Sequence, residues 1–500
     1  MIRLAVVVAL LAAACGTGTA DVQAPPLVTT STTAPTTTAA APATAVPTTT
    51  VPPAVVEQVD CPDELRSSLV ACGTAVVALD RDDGSAGTTT ITLATIAGTE
   101  PDGPPPVAVL QGGPGGASTG FASWFPQQPF TQVFVDQRGT GFTGPDLDCP
   151  EYDDRLPELF TLPADQTVAG ANEALAECAA RIADDPTLQS ADSVTHAADV
   201  AEVMAALGYD EWLVYGVSYG TTIGFELLRS EPEGLVGAVL DGVYPVDLDV
   251  DAGVAYSADR ALDELAAACA ADEECAGWAP DVVALVEDLM VTLDRDPITV
   301  DTDDGPVLLD GGRLAEFVFV VLYSEQRMRF LPGALAGIAA GDDDAARWLA
   351  RNGTASIVSS QGINDEGTYW AVQCHDRLPF TDGPPDDAAP FPAAIASALL
   401  ADSCDPWDRP GATTADPVVS DLPTLLLSGR FDPITPSSYA ADAAAHLGAP
   451  TLIEQDGRGH GIWPGGDDCI TAIVAAFVAD PDGEVDTRCA AAGVPVDWAR

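Results

Sequence analysis

Apolar and polar positions change their period several times along this chain of 500 residues. Residues 74–79 and 88–96 gather β-branched side chains on either side of Asp82-Asp83-Gly84, which predicts an antiparallel hairpin. Residues 107–110 and 132–135 are short apolar runs bounded by Pro and Gly, the pattern of strands buried on both faces. Val200, Val203, Met204 and Leu207 recur at helical spacing, with Thr195 as the expected N-cap and Gly208 as the stop. A strand over 212–215 comes next, then a helix from Tyr219 towards Ser230 that ends near Pro232, then a strand over 235–240. Strands alternating with helices in this way predict α/β architecture with a mostly parallel sheet.

From about residue 245 to 419 the alternation gives way to Ala- and Leu-rich helical stretches, as at 261–270, 282–293 and 313–322. This reads as a large helical cap inserted into the α/β core. The core resumes with a strand over 423–427, a helix over 438–446, a strand over 451–454 and a closing helix over 470–478. The expected organisation is a first core segment over 57–244, the cap over 245–419 and a second core segment over 420–500.

Charge narrows the picture. Acidic residues number 76 against 20 basic, all of them Arg, for a net charge of −56. A field of that sign repels phosphate backbones, which excludes nucleic acid as a partner. The acidic residues are scattered through apolar patterns rather than gathered in one tail, so they describe the solvated surface of a folded protein.

The N-terminus has its own logic. Arg3 precedes an apolar run over 4–14 that is too short to span a bilayer, so residues 1–14 are expected to be an export signal. Leu11-Ala12-Ala13-Ala14-Cys15-Gly16 resembles a bacterial lipoprotein signal, which implies acylation of Cys15 and a protein tethered to the outer face of a membrane. Plain secretion is the alternative. Residues 15–56 are mostly Thr, Pro, Ala and Val, with Asp21 the only charge, and are expected to be an extended tether. The other ten cysteines, an even number in an exported chain, argue for disulfides rather than a metal site. Proximity in sequence suggests Cys61 with Cys72, Cys149 with Cys178, Cys269 with Cys275, Cys374 with Cys404, and Cys469 with Cys489.

Candidate chemistry lies where strands end. Gly216-Val217-Ser218-Tyr219-Gly220 falls between a predicted strand and a predicted helix, where a nucleophile elbow belongs, and makes Ser218 the candidate nucleophile. Asp432 follows the strand over 423–427 and is placed to orient an imidazole. His460, in Gly457-Arg458-Gly459-His460-Gly461, is the candidate base; of the other three histidines, His196 opens a helix, His446 lies near a helix end and His375 adjoins Cys374. The order Ser, Asp, His suits this architecture. Gln111-Gly112-Gly113-Pro114-Gly115-Gly116 follows a core strand, and its Gly113 N–H, with that of Tyr219, is expected to hold the oxyanion. This constellation needs no metal and no cofactor. Ser218 would attack a carbonyl with His460 as base, and water would release the acyl group. Epoxide hydrolase and dehalogenase chemistry would need Asp in place of Ser218.

The segments 111–116, Asp136-Gln137-Arg138-Gly139-Thr140-Gly141 and Tyr215-Gly216-Val217-Ser218-Tyr219-Gly220-Thr221 together resemble the prolyl and tripeptidyl aminopeptidase family of α/β-hydrolases. The resemblance covers about residues 60–490, and the part after the cap is similar to the C-terminal region of secreted tripeptidyl aminopeptidases. It implies an α/β-hydrolase fold and a serine exopeptidase that releases short peptides from free N-termini. It also implies a cap that reads the substrate α-ammonium through carboxylates. Gln111 stands where the prolyl branch usually has His, which points to the tripeptidyl branch. The cap stretches 364–367 and 371–376 resemble that branch, making Glu366 and Asp376 the candidate ammonium ligands. Asp136 and Arg138 are expected to form an internal ion pair. The expected partners are peptide substrates, with membrane contact only through the lipid anchor. Two alternatives remain: an esterase or lipase with the same three residues, and a non-catalytic surface binding protein.

Overall fold

The computed structural model describes residues 53–500 apart from 101, 143, 146, 249, 361–363, 378–388, 399–400, 408–410, 413–415 and 465–467. The expected export signal, Cys15 and the tether up to residue 52 lie outside the described residues.

The chain lays down β1 (Val55–Val59), β2 (Val70–Ala78), β3 (Thr88–Ile96), β4 (Val107–Leu110), β5 (Gln132–Val135), β6 (Trp212–Val217) and β7 (Leu235–Asp241). A small antiparallel pair, β8 (Ile298–Thr302) and β9 (Gly305–Leu309), belongs to the cap, and β10 (Thr424–Gly429) and β11 (Pro450–Gln455) complete the core. The nine core strands form one sheet in the order β1-β2-β3-β5-β4-β6-β7-β10-β11. From β5 onward the pairings are parallel, and the predicted hairpin β2–β3 is antiparallel, as are β1–β2 and β3–β5. Because β4 lies between β5 and β6, with Leu110 opposite Gly216, the loops leaving β4 and β6 start side by side at the carboxyl ends of their strands.

Period-2 alternation splits each strand between two cores. Val77, Leu93, Leu110, Val133, Val214 and Leu240 face a layer that includes the helices Ser193–Ala206 and Tyr219–Ser230. Leu213, Phe134, Val109, Val239 and Leu427 face the helix Asp468–Ala479 through Ile473, Val474 and Phe477. Both faces are covered, which is why these strands read as unbroken apolar runs. A third core fills the cap, built from the helices Val250–Ala271, Val282–Arg295, Gly311–Leu322 and Leu331–Ala339.

Three details differ from the sequence expectation. Val55 and Val56, assigned to the tether, instead pair with Val76 and Ala75 on the sheet edge. The N-cap of the helix Ser193–Ala206 is Asp192, not Thr195: Asp192 is extended, and its carboxylate accepts the Thr195 N–H at 2.8 Å. Finally, residues 150–189 hold four helices, the longest Ala164–Ile182, and Leu156, Leu159, Phe160 and Ala171 join the cap core. All five cysteine pairs suggested by proximity are disulfides. Among the described residues no helix is long and apolar enough to cross a membrane.

Candidate active site

Ser218 sits between β6 and the helix Tyr219–Ser230 with φ 56° and ψ −128°, a backbone region that L-residues other than glycine rarely enter. Such a residue stores strain of roughly 1–3 kcal/mol and persists because its surroundings over-determine it. Its N–H donates to Asp241 O at 2.9 Å, and its carbonyl accepts from Thr221 N–H and Thr221 Oγ1 at 2.8 and 2.6 Å. The flanking glycines are a packing requirement: a Cβ on Gly216 would lie 2.2 Å from Gly220 O, and one on Gly220 would lie 2.4 Å from Leu110 O. The turn therefore lifts Ser218 over the positive end of a helix, where developing negative charge is favoured.

Asp432 is fully buried after β10. Its Oδ2 faces His460 Nδ1 at 2.8 Å and accepts from Thr435 Oγ1 at 2.7 Å, while Oδ1 accepts the N–H groups of Ile434 and Thr435 at 2.9 and 2.8 Å. Burial pushes this carboxyl up, but the His460 charge and the hydrogen bonds outweigh it and hold Asp432 below the usual range. Burial likewise pushes His460 down, and the charge and hydrogen bond of Asp432, with a contribution from Asp241, carry it above its ordinary 6.5. With Nδ1–H given to Asp432, the imidazole presents its lone pair at Nε2. The His460 N–H donates to Tyr323 O at 3.2 Å, and the Tyr323 ring stands edge-on 5.2 Å from the imidazole. The loop then closes on the elbow, since a Cβ on Gly461 would lie 3.1 Å from Val217 Cγ2.

The glycine-rich loop after β4 comes directly against the elbow. A Cβ on Gly112 would lie 2.7 Å from Ser218 Cβ. Gly113 follows at φ 108° on that loop, and Tyr219 opens the helix directly after Ser218. Sequence reasoning missed the residue that holds this loop. Gln137 Oε1 accepts the Gly115 N–H at 2.9 Å, and its Nε2 donates towards the carbonyls of Gln111, Gly112 and Gly116. The signal was present in the Asp136-Gln137-Arg138 motif.

Comparison with known proteins bears on the fold. Residues 105–288 match the family described as alpha/beta hydrolase fold, and residues 389–489 match the family described as TAP-like protein. The chain has the α/β-hydrolase fold. It is 26% identical over 308 residues to the serine protease Hip1 of Mycobacterium tuberculosis, a match covering 57% of this chain and 59% of that protein. The chain thus spans less than two thirds of that relative's length. It is 27% identical over 270 residues to carboxylesterase B of the same species, covering 49% of each chain. It is 29% identical over 140 residues to a probable proline iminopeptidase of Streptomyces coelicolor, covering 28% of this chain and 32% of that one.

The remaining expected residues fall in three places. Glu366 begins the cap helix Glu366–Val372 beside the glycine loop, where the Asp365 N–H donates to Gly115 O at 2.9 Å. Its carboxyl lies with those of Asp148 and Asp153, an oxygen of each within 4.8 Å of the others, a set able to share one cation. Burial, followed by the charge of Asp153 and a hydrogen bond with Asp148, pushes Glu366 up to about 9. Asp376 is engaged elsewhere: Oδ2 accepts the Ser193 N–H and Oγ–H at 2.9 and 2.5 Å, and Oδ1 faces His375 Nδ1 at 2.6 Å. That corrects the expectation of Asp376 as an ammonium ligand, because both oxygens already serve to fasten the cap to the start of a core helix.

The expected Asp136–Arg138 ion pair also gives way to other partners. Asp136 accepts the Thr119 N–H and Oγ–H at 2.7 and 2.8 Å, and burial pushes it up to about 7. Arg138 instead meets Asp199 through two hydrogen bonds of 2.9 and 2.8 Å.

Proposed function

We propose that this hydrolase is an exported serine aminopeptidase that releases short peptides, tripeptides by preference, from free N-termini through an acyl-enzyme on Ser218. Asp432 orients His460 and balances the imidazolium that forms when Ser218 gives up its proton; Gly113 and Tyr219 N–H groups receive the oxyanion. His460 then returns the proton to the leaving amine, and water repeats the sequence to free the peptide.

One observation favours a peptide N-terminus over a neutral acyl ester. Glu366 shares its corner with Asp148 and Asp153, and it is held by a cap helix that is hydrogen-bonded to the glycine loop. An α-ammonium arriving there would be met by carboxylates and would draw Glu366 back into its ionised form, a gain that an uncharged substrate cannot provide. The names of the protease and iminopeptidase relatives support the same reading, and five disulfides suit export. Lipidation of Cys15 remains part of the proposal, and mass spectrometry of the exported protein tests it.

The esterase reading has one supporting observation, the similarity to carboxylesterase B. Release of aminomethylcoumarin from free and N-acetylated mono-, di- and tripeptide amides separates the two. The expected result is cleavage of the free substrates alone, abolished in Ser218→Ala. In Glu366→Gln, KM for those peptides should rise about tenfold while turnover of an acetyl ester stays unchanged. Equal cleavage of blocked peptides, or turnover of esters alone, would overturn the aminopeptidase reading.

A further inference from the structure

Ser218 and His460 stand on segments far apart in the chain, and a single residue is bonded to both. Asp241 ends β7 and is fully buried. Its main-chain carbonyl accepts the Ser218 N–H at 2.9 Å. Its carboxylate accepts two more N–H groups, from Ile462 to Oδ1 at 3.0 Å and from Trp463 to Oδ2 at 2.8 Å. These are the second and third residues after His460. The Tyr215 hydroxyl closes the set from β6, donating to Trp463 O at 2.5 Å and to Asp241 Oδ2 at 3.2 Å. The next residue along from Asp241 makes room for the imidazole itself: a Cβ on Gly242 would lie 2.9 Å from His460 Cε1.

We propose that Asp241 is a positioning residue of the reaction, which locks the base-bearing loop to the strand end carrying the nucleophile and adds a second negative charge to support the His460 imidazolium. This rests on the assignment of Ser218, Asp432 and His460 made above. Two N–H bonds to one buried carboxylate fix both the position and the tilt of the 461–463 backbone, and a misplacement of about 1 Å at a reacting group can cost about 100-fold in rate.

Other groups facing the imidazole leave a distinct place for this charge. Asp432 and Thr435 approach Nδ1 from the loop after β10, Tyr323 covers the ring from the cap, and the Arg260 guanidinium is turned to the main-chain carbonyls of Arg430 and Asp432. Asp241 therefore acts on His460 through space rather than through the Nδ1 hydrogen bond. Burial pushes Asp241 up to about 6, against the pull of its N–H donors and of His460, so it is charged in the range where the base works. Removing the charge disfavours the imidazolium, and the pH at which His460 becomes neutral falls.

The test uses the full chain with p-nitrophenyl acetate, comparing wild type, Ser218→Ala, Asp241→Asn and Tyr215→Phe over pH 5–9. Turnover that survives in Ser218→Ala would defeat the nucleophile assignment and leave no role for Asp241 to support. With that control inactive, Asp241→Asn should lower kcat about tenfold or more, leave KM within about twofold, and move the acid limb of kcat/KM to lower pH. Unchanged kcat, an unmoved limb, or a loss confined to KM would overturn the proposal. If circular dichroism shows Asp241→Asn unfolded, Tyr215→Phe decides. It keeps both N–H bonds but removes the hydroxyl that favours the Asp241 anion, so a smaller shift of the limb in the same direction is expected, and an unmoved limb overturns the proposal.

Discussion

Gln137 and Gly115 are joined side chain to main chain, with Gln137 Oε1 accepting the Gly115 N–H at 2.9 Å while the same amide donates from Nε2 towards three carbonyls of the glycine loop. One buried side chain thus satisfies an N–H and several C=O groups in a segment with little secondary structure of its own, which is what lets a glycine-rich loop stay rigid beside Ser218. Gln137→Glu keeps the shape but cannot donate to those carbonyls, and it brings an acid towards the place where an oxyanion forms. Its kcat on a small ester is expected to fall about 100-fold with KM nearly unchanged, the scale of losing one oxyanion donor. A variant with wild-type kcat would show that the loop holds its shape without the clamp.

The Asp432–His460 pair fixes the sign of two pH effects. His460 is raised above its ordinary 6.5, and the reaction needs the neutral imidazole, so the acid limb of kcat/KM should fall above pH 6.5 and move down in Asp432→Asn. For stability, the raised His460 contributes fully below its unfolded value, and that contribution is lost as pH rises through the folded value. Asp432, held low, contributes above its unfolded value of 3.8 and loses that contribution as pH falls through the still lower folded value. Thermal melts of wild type and His460→Gln should therefore lie furthest apart below pH 6.5 and draw together as pH rises above it. Curves that separate further with rising pH would contradict the assignment.

Much of this was legible in the sequence because it depends on local rules. β4 and β5 fall at the boundaries their apolar runs predict, and the elbow glycines were readable because close backbone approach leaves no substitute. The partners of Arg138, Asp136 and Asp376 were not readable. Each is set by where a side chain lands after folding, and in so acidic a chain a carboxylate can be found near almost any cation. The helix Ala164–Ile182 carried its signal openly, in Ala171, Ala174, Leu175, Cys178, Ala179 and Ile182, all buried at helical spacing. The gathering of Glu366 with Asp148 and Asp153 joins the cap to a segment that precedes it by about two hundred residues, a distance no pattern spans.

Asp199 offers the sharpest stability test. Arg138 is fully buried with all five N–H groups placed: two on Asp199, two on the carbonyls of Leu79 and Ala78, and one on Ser190 Oγ. Asp199 accepts in addition from Arg81 Nη2 at 2.6 Å, and Arg81 is itself partly exposed and paired with Glu202. The two arginines thus share one carboxylate from opposite environments. Asp199→Ala would strand a guanidinium in the core without a counter-charge, at a cost of about 3–5 kcal/mol. Arg81→Ala removes a partner that water partly replaces, at a cost of about 1 kcal/mol or less. Urea unfolding with the disulfides intact measures both. If Asp199→Ala costs no more than Arg81→Ala, the buried pair contributes no more to the core than an exposed one would.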